Sequence, residues 1–262
     1  MNAPATEKLA QLAKMLDRAA TERKEVLMFA DDENIDLKTA YSIQDLSILL
    51  RETRGDKPIG WKMGLTSRAK MAQMGVDSPI CGVLTETMRL ADHGKLKFAQ
   101  FIHPKVEPEI AFHIGTDIPY DVSEEDVLKY VSRVCCGLEI IDSRFKDFKF
   151  TLKDVIADNC SSSAFVLSAE TFAPNEADLA NLGMVLEING EPVQAGSSAA
   201  ILDHPRSSLY ECVQMLAKRG KKIRAGEIVL AGASTAAVLL KAGDHVHVRV
   251  QDLGSATFQV VK

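Results

Sequence analysis

Apolar positions recur every three or four residues at two places early in the chain. Leu9, Leu12, Leu16 and Ala19 or Ala20 fit one helical face, and Thr6 can cap a helix over residues 6–23. A second stripe, with Tyr41, Leu46, Leu49 and Leu50 turned inward, predicts a helix over 37–53, with Gly55 where a C-cap glycine belongs. Between them, Asp31-Asp32-Glu33-Asn34 reads as an acidic loop. Beyond Pro58 the pattern shortens toward a period of two. Residues 59–64 predict a short strand, 67–74 a short helix ending at Gly75, 106–114 an alternating strand and 134–141 a mostly apolar one. Asn189-Gly190, inside residues 184–193, signals a hairpin. Residues 227–231, 246–250 and 256–261 predict closing strands, with Asp252-Leu253-Gly254 turning between the last two. A helix over 207–219, ended by Gly220, interrupts them. A helical first third followed by strands predicts an α+β chain. The expected boundary lies near residue 80: a small N-terminal α/β domain over 1–80 and a β domain over 81–262.

Composition adds mainly exclusions. With 262 residues, 46% hydrophobic and 26% charged, the chain can bury one large core. A net charge of −5 argues against nucleic acid, which needs a basic face. The cluster Lys218-Arg219-Gly220-Lys221-Lys222 reads as a helix C-terminus, where cations complement the dipole. Cys81, Cys135, Cys136, Cys160 and Cys212 are odd in number and lack a CxxC pair, so neither a disulfide framework nor a zinc cage is expected. The first residues hold no apolar targeting segment, and no apolar run approaches the ~18 residues of a membrane span. The expectation is a reduced, soluble, cytoplasmic protein without a membrane partner.

Candidate chemistry concentrates in two strands. In Lys105-Val106-Glu107-Pro108-Glu109-Ile110-Ala111-Phe112-His113-Ile114, alternation puts Glu107 and Glu109 on one face and Val106, Ile110, Phe112 and Ile114 on the other. Two carboxylates on one face repel unless a positive group sits between them, and oxygen ligands suit Mg²⁺, Mn²⁺ or Ca²⁺. Glu139 lies inside the apolar run from Cys135 to Ile141, where a carboxylate is costly unless paired or metal-bound. Spacing alone leaves a solvated acidic face open for the pair, and an ion pair with Arg144 or a lysine open for Glu139. His245 and His247 share a face but have no third ligand nearby and read as a solvated edge. Gly232-Ala233-Ser234-Thr235 lacks the lysine and spacing of a phosphate loop.

Longer motifs surround these acids. They are Lys62-Met63-Gly64-Leu65-Thr66-Ser67, Lys70-Met71-Ala72-Gln73-Met74-Gly75-Val76, His103-Pro104-Lys105-Val106-Glu107-Pro108-Glu109, Ile140-Ile141-Asp142-Ser143-Arg144-Phe145, Asp158-Asn159-Cys160-Ser161-Ser162-Ser163 and Leu253-Gly254-Ser255. In that order they resemble the 4-oxalocrotonate decarboxylase family of aromatic meta-cleavage pathways, from about Tyr41 to the C-terminus. That family is a sister of the 2-keto-4-pentenoate hydratases within the fumarylacetoacetase-like superfamily. The resemblance implies a mixed β-roll or barrel with a small N-terminal α/β domain. It implies Mg²⁺ or Mn²⁺ on Glu107, Glu109 and Glu139, and Lys62 as a catalytic and substrate-binding residue. It implies a dicarboxylate substrate, 2-oxohex-3-enedioate, converted to 2-hydroxypenta-2,4-dienoate and CO₂. It further implies a homo-oligomer that associates with the hydratase. Ser161 and Thr235 are candidates to hold substrate oxygens, with ordinary turn hydrogen bonds as the alternative for each.

Two positions bear on the choice of activity. The sister hydratases read Pro-Asp-Phe-Gly where this chain has Pro79-Ile80-Cys81-Gly82, and decarboxylases often carry arginine where this chain has Ala164. The competing readings are the hydratase activity itself and a catalytically idle partner subunit of the hydratase.

Overall fold

The computed structural model describes residues 3–29, 35–68, 71–72 and 75–262. The expected acidic loop over 31–34, and part of the expected helix over 67–74, lie outside the described residues. Gly75, at φ 64°, occupies the left-handed conformation expected of a helix-ending glycine.

Helix α1 (Ala3–Glu22) begins before Thr6, so Thr6 lies within the helix instead of capping it. Leu9, Ala13, Leu16 and Ala19 form its buried stripe. Helix α2 (Leu37–Thr53) is capped by Asp36, whose carboxylate accepts the Thr39 N–H at 2.7 Å. Its buried face is Ala40, Ile43, Gln44, Ser47 and Ile48; of the residues expected inside, Tyr41 and Leu46 pack partly buried against the core, whereas Leu49 is 53% exposed. Gln44 occupies the inner face because its amide donates to the Cys81 and Ile156 carbonyls, at 3.1 and 2.9 Å. A polar side chain whose NH₂ is bonded can thus take a position that apolarity alone assigns elsewhere, although Gln44 Oε1 has no hydrogen-bond partner among the described residues.

Thirteen named strands follow or interleave with two further helices. The strands are β1 (Pro58–Gly64), β2 (Ile80–Thr85), β3 (Arg89–Leu90), β4 (Gly94–Lys97), β5 (Lys105–Ile114), β6 (Val131–Ile141), β7 (Ser162–Leu167), β8 (Gly183–Ile188), β9 (Glu191–Ser197), β10 (Ile228–Ala233), β11 (Val238–Leu239), β12 (His245–Val250) and β13 (Gly254–Val261). Helix α3 (Leu152–Ala157) precedes β7, and α4 (Pro205–Lys218) precedes β10. One mixed sheet runs β2-β1-β10-β5-β6-β7-β3, with β11 also on β5; the other runs β4-β13-β12-β8-β9. The β8–β9 hairpin turns at Asn189 and Gly190, both with positive φ, as a two-residue primed turn requires.

Alternation along β5 explains the layers. Val106, Ile110 and Phe112 join Leu138 and Ile140 of β6, and Leu186, Val246, Val248 and Phe258 of the smaller sheet, in one core between the sheets. Each such side chain contributes roughly 1.5–3 kcal/mol on burial. On the opposite face, Leu84 of β2 and Phe165 of β7 meet Ala111, Cys135 and Leu230. β2 and β7 lie near opposite ends of the strand order, so the sheet curls toward a barrel. Asn159 helps close the gap: its side chain accepts the Val83 N–H at 2.8 Å and donates to the Val83 carbonyl at 2.9 Å. Helices α1, α2 and α3 pack with Ile80 and Phe145 into a separate core against this barrel. β1 pairs with both β2 and β10, so a division at residue 80 would part β1 from β2 within a continuous sheet.

Candidate active site

Register brings the three glutamates together. Glu107 on β5 stands opposite Glu139 on β6, and Glu109 stands opposite Gly137. Like charges directly across a strand pair destabilise a sheet unless something compensates them. All three are buried, with Glu109 and Glu139 fully inaccessible. One oxygen from each lies within 4.8 Å of the others. Glu109 Oε2 accepts the Gly232 N–H at 2.7 Å, while Glu109 Oε1 has no hydrogen-bond partner among the described residues. Glu139 Oε1 accepts the Ser162 hydroxyl at 2.8 Å, and its Oε2 lies 2.9 Å from Lys62 Nζ.

Lys62 enters from β1. Its Nζ also donates to the Cys160 carbonyl at 3.2 Å, and its side chain is almost wholly buried. Burial alone would lower the ammonium pKa, but the carboxylates of Glu139, Glu109 and Glu107 more than offset that, and Lys62 is held charged above its usual range. Burial, and then the Glu139 charge, push Glu109 well above the usual carboxylate range; Lys62 and the Gly232 N–H pull against them. Glu139 is also raised, by burial, against the opposing charge of Lys62. Among the described residues, three buried carboxylates converge beside Lys62. Oxygen donors with an unpartnered buried lone pair fit a hard divalent cation.

Two glycines give this cluster its room. Gly232 has φ +100°, and a Cβ there would lie 2.1 Å from Thr66 Oγ1, so only glycine can present its N–H to Glu109 here. A Cβ on Gly82 would lie 3.1 Å from Lys62 Cδ and 2.8 Å from the Asn159 carbonyl oxygen. The segment Asn159–Ser161 is left-handed at three successive non-glycine residues, with φ of 51°, 53° and 59°. Such backbone costs about 1–3 kcal/mol per residue and persists only where its surroundings hold it. The Asn159 bonds to β2 provide that hold, and the turn aims the Cys160 carbonyl at Lys62.

The cluster opens into a cavity of about 350 Å³ lined by Lys62, Lys105, Glu107 and Ser161, with walls from Met63, Leu65, Ile80, Ile141, Phe148, Phe150 and Val155. Ser161 is buried, and its Oγ has no hydrogen-bond partner among the described residues. Thr235 makes the turn hydrogen bond that was the alternative for it. It does not line this cavity; its hydroxyl donates to the Ala236 carbonyl at 3.2 Å, and its methyl lies against Gly196 of β9. Arg144, one of the partners the sequence left open for Glu139, pairs with Asp158 instead. Ala164 lines a separate cavity.

Sequence reasoning did not single out Ser162, Gly232 or Lys105. Ser162 stands in the serine run, and Lys105 alternates with Glu107 and Glu109, so both carried a readable signal. Lys105 Nζ sits 3.8 Å from the centre of the Phe148 ring at the cavity wall. Phe148 ends a single 3-10 turn (Lys146–Phe148) and Phe150 follows in irregular chain, so neither has a periodicity to reveal it.

Comparison with known proteins places this site in a family. The model of the fumarylacetoacetate (FAA) hydrolase C-terminal family matches residues 64–261. A 4-oxalocrotonate decarboxylase of Pseudomonas sp is 44% identical over 251 residues, covering 96% of this chain and 97% of its own. A 2-keto-4-pentenoate hydratase of Paraburkholderia xenovorans strain LB400 is 36% identical over 225 residues, covering 86% of this chain and 83% of its own. The solved 4-oxalocrotonate decarboxylase from Pseudomonas putida G7, complexed with magnesium and adipate, superimposes with a TM-score of 0.94 at 38% identity, covering 98% of both chains. The chain belongs to the fumarylacetoacetate hydrolase family, within the group formed by the 4-oxalocrotonate decarboxylases and their hydratase relatives.

Proposed function

We propose that this chain is a metal-dependent carboxy-lyase that converts 4-oxalocrotonate (2-oxohex-3-enedioate) to 2-hydroxypenta-2,4-dienoate and CO₂ in aromatic meta-cleavage catabolism. The observation that carries the reading is the buried cluster of Glu107, Glu109 and Glu139 with Lys62, opening into a cavity whose far walls are apolar. Likeness over nearly the whole chain to a protein named for this activity supports it.

The substrate is a vinylogous β-keto acid, so loss of its C6 carboxyl as CO₂ sends an electron pair through the alkene toward the 2-keto oxygen. Glu107, Glu109 and Glu139 would hold Mg²⁺ or Mn²⁺, which when bound draws electron density toward the keto-acid end. Lys62 opposes protonation of Glu139 and orients it, and its buried ammonium adds positive charge where negative charge develops. The Ser161 hydroxyl is free to donate to a substrate oxygen. Ile80, Phe148, Phe150 and Val155 give the cavity an apolar lining. A carboxylate in that setting loses hydration that the neutral product CO₂ does not need, which favours its departure. Ile80 also brings no acid to the cavity with which to handle water, which separates this reading from the hydratase.

Assembly and location belong to the same proposal. The chain forms a homo-oligomer that associates with the hydratase acting on its product, supported by the shared family of the two activities. Five free, buried cysteines support work in a reducing cytoplasm.

The test is to incubate purified protein with Mg²⁺ and 2-oxohex-3-enedioate, follow CO₂, and identify the product by NMR. The expected result is CO₂ with 2-hydroxypenta-2,4-dienoate. Hydration of the dienoate without CO₂ release would give the chain to the hydratases, and no turnover of either compound would make it an idle partner.

A further inference from the structure

A second cavity, of about 470 Å³, shares no lining residue with the first. It is bounded by α1, the end of α2, β3, β4 and the ends of β6 and β7. Six cations face it: Arg51, Arg54, Arg89, Lys95, Lys97 and Arg144. Three carboxylates face it too, and each is already engaged. Asp17 takes a bidentate pair from Arg54 at 2.6 and 2.8 Å. Asp56 accepts from the Thr85 hydroxyl at 2.8 Å and the Thr87 N–H at 2.9 Å. Asp142 accepts from the Ile102 and His103 N–H groups at 2.8 and 2.7 Å.

Among the cations, Arg144 is held by Asp158 and Arg54 by Asp17. Arg51, Arg89, Lys95 and Lys97 have no side-chain hydrogen bond or ion pair among the described residues. With Asp158 counted against Arg144, six cations meet four acids and leave two positive charges in excess, in a chain whose net charge is −5. Arg51 is the telling member. Burial, then the neighbouring charge of Arg144, hold its pKa down to about 10, against the pull of Asp56, Asp17 and Asp158. A part-buried guanidinium without a counter-ion is costly, and its planar fork matches phosphate or carboxylate oxygens.

We propose that this cavity is a binding site for a small polyvalent anion, held through its phosphate or carboxylate oxygens by Arg51, Arg89, Lys95 and Lys97. The site is independent of the proposed decarboxylation: its cations do not reach the glutamate cluster's cavity, and its ligand is not the reacting compound.

The test is calorimetric titration of the full-length protein with inorganic phosphate and with citrate, at ionic strength matched with NaCl. Saturable binding of one anion per chain is expected, and the tighter of the two identifies phosphate or carboxylate chemistry. Arg51→Gln should weaken it about tenfold or more, the loss of one charge-assisted contact. The double variant Lys95→Gln/Lys97→Gln, which changes only exposed side chains, should weaken it as well, while Glu109→Gln in the other cavity should leave it unchanged. Equal binding by wild type and Arg51→Gln, or loss of binding in Glu109→Gln, would overturn the proposal. So would no saturable binding of either anion; if particle mass then falls in the double variant, these cations serve a partner chain.

Discussion

Two buried ionic clusters flank the left-handed turn at Asn159–Ser161, and they are completed differently. In one, Arg144 bonds through Nε to Asp158, through Nη1 to the Asp142 carbonyl and the Ser163 hydroxyl, and through Nη2 to the Asp158 carbonyl. The Asp142 carboxylate is satisfied by two backbone N–H groups. In the other, three glutamates gather beside Lys62, which pairs with Glu139, and Glu109 Oε1 and Ser161 Oγ have no hydrogen-bond partner among the described residues. Both clusters are equally buried, so burial does not distinguish them. Completion does: a closed network fixes the chain's path, whereas an open one is built for something that arrives later.

The sharpest way to break the comparison is to neutralise one member of each. Glu109→Gln should lower turnover at least about a thousandfold, an effect of about 4 kcal/mol on the barrier. Its melting temperature should hold or rise, because a buried like charge has gone. Arg144→Met should do the reverse, costing about 3–5 kcal/mol of stability by leaving Asp158 uncompensated, as measured by urea unfolding. If Glu109→Gln unfolds and Arg144→Met does not, the two roles have been assigned the wrong way round.

Lys62→Met sharpens the open cluster further. Removing the ammonium that pairs with Glu139 should cut turnover about a hundredfold or more while leaving divalent-ion affinity equal or higher, since the three carboxylates remain. Loss of metal binding in that variant would show that Lys62 organises the carboxylates instead of serving the reaction.

The smallest expected effect is on pH dependence in the closed cluster. Burial, opposed by Arg144, raises Asp158 from its ordinary value to about 6. The folded chain then binds this proton more tightly than the unfolded chain, so the Asp158 contribution to stability falls as pH rises from about 4 to about 6. The melting-temperature advantage of wild type over Asp158→Asn should shrink across that window. A growing advantage would mean that Arg144 holds the carboxylate below its usual range.

Much of this was legible in the chain. Strict alternation over residues 106–114 predicted both the core face of β5 and the shared face of Glu107 and Glu109. Asn189-Gly190 marked its hairpin for the same local reason. Spacing alone did not join Glu139 and Lys62 to the Glu107 and Glu109 pair, and only the motif resemblance did, because Glu139 meets Glu107 through the β5–β6 register and Lys62 reaches it through β1 pairing beside β10. The short strands β2 and β7 and helix α3 went unforeseen. In β2, burial on both faces erases the two-residue alternation. Leu49 was misplaced because Gln44, a polar residue, takes the inner face of α2. Thr235 stayed open between a substrate oxygen and a turn hydrogen bond, because a small-residue loop does not reveal which way its one hydroxyl turns.

The central claim is that the incomplete cluster is a metal site, and Mn²⁺ binding followed by electron paramagnetic resonance tests it most directly. One Mn²⁺ bound per wild-type chain, displaced by Mg²⁺ and lost in Glu109→Gln, is the predicted result. Equal binding in wild type and Glu109→Gln, or none in either, would contradict it.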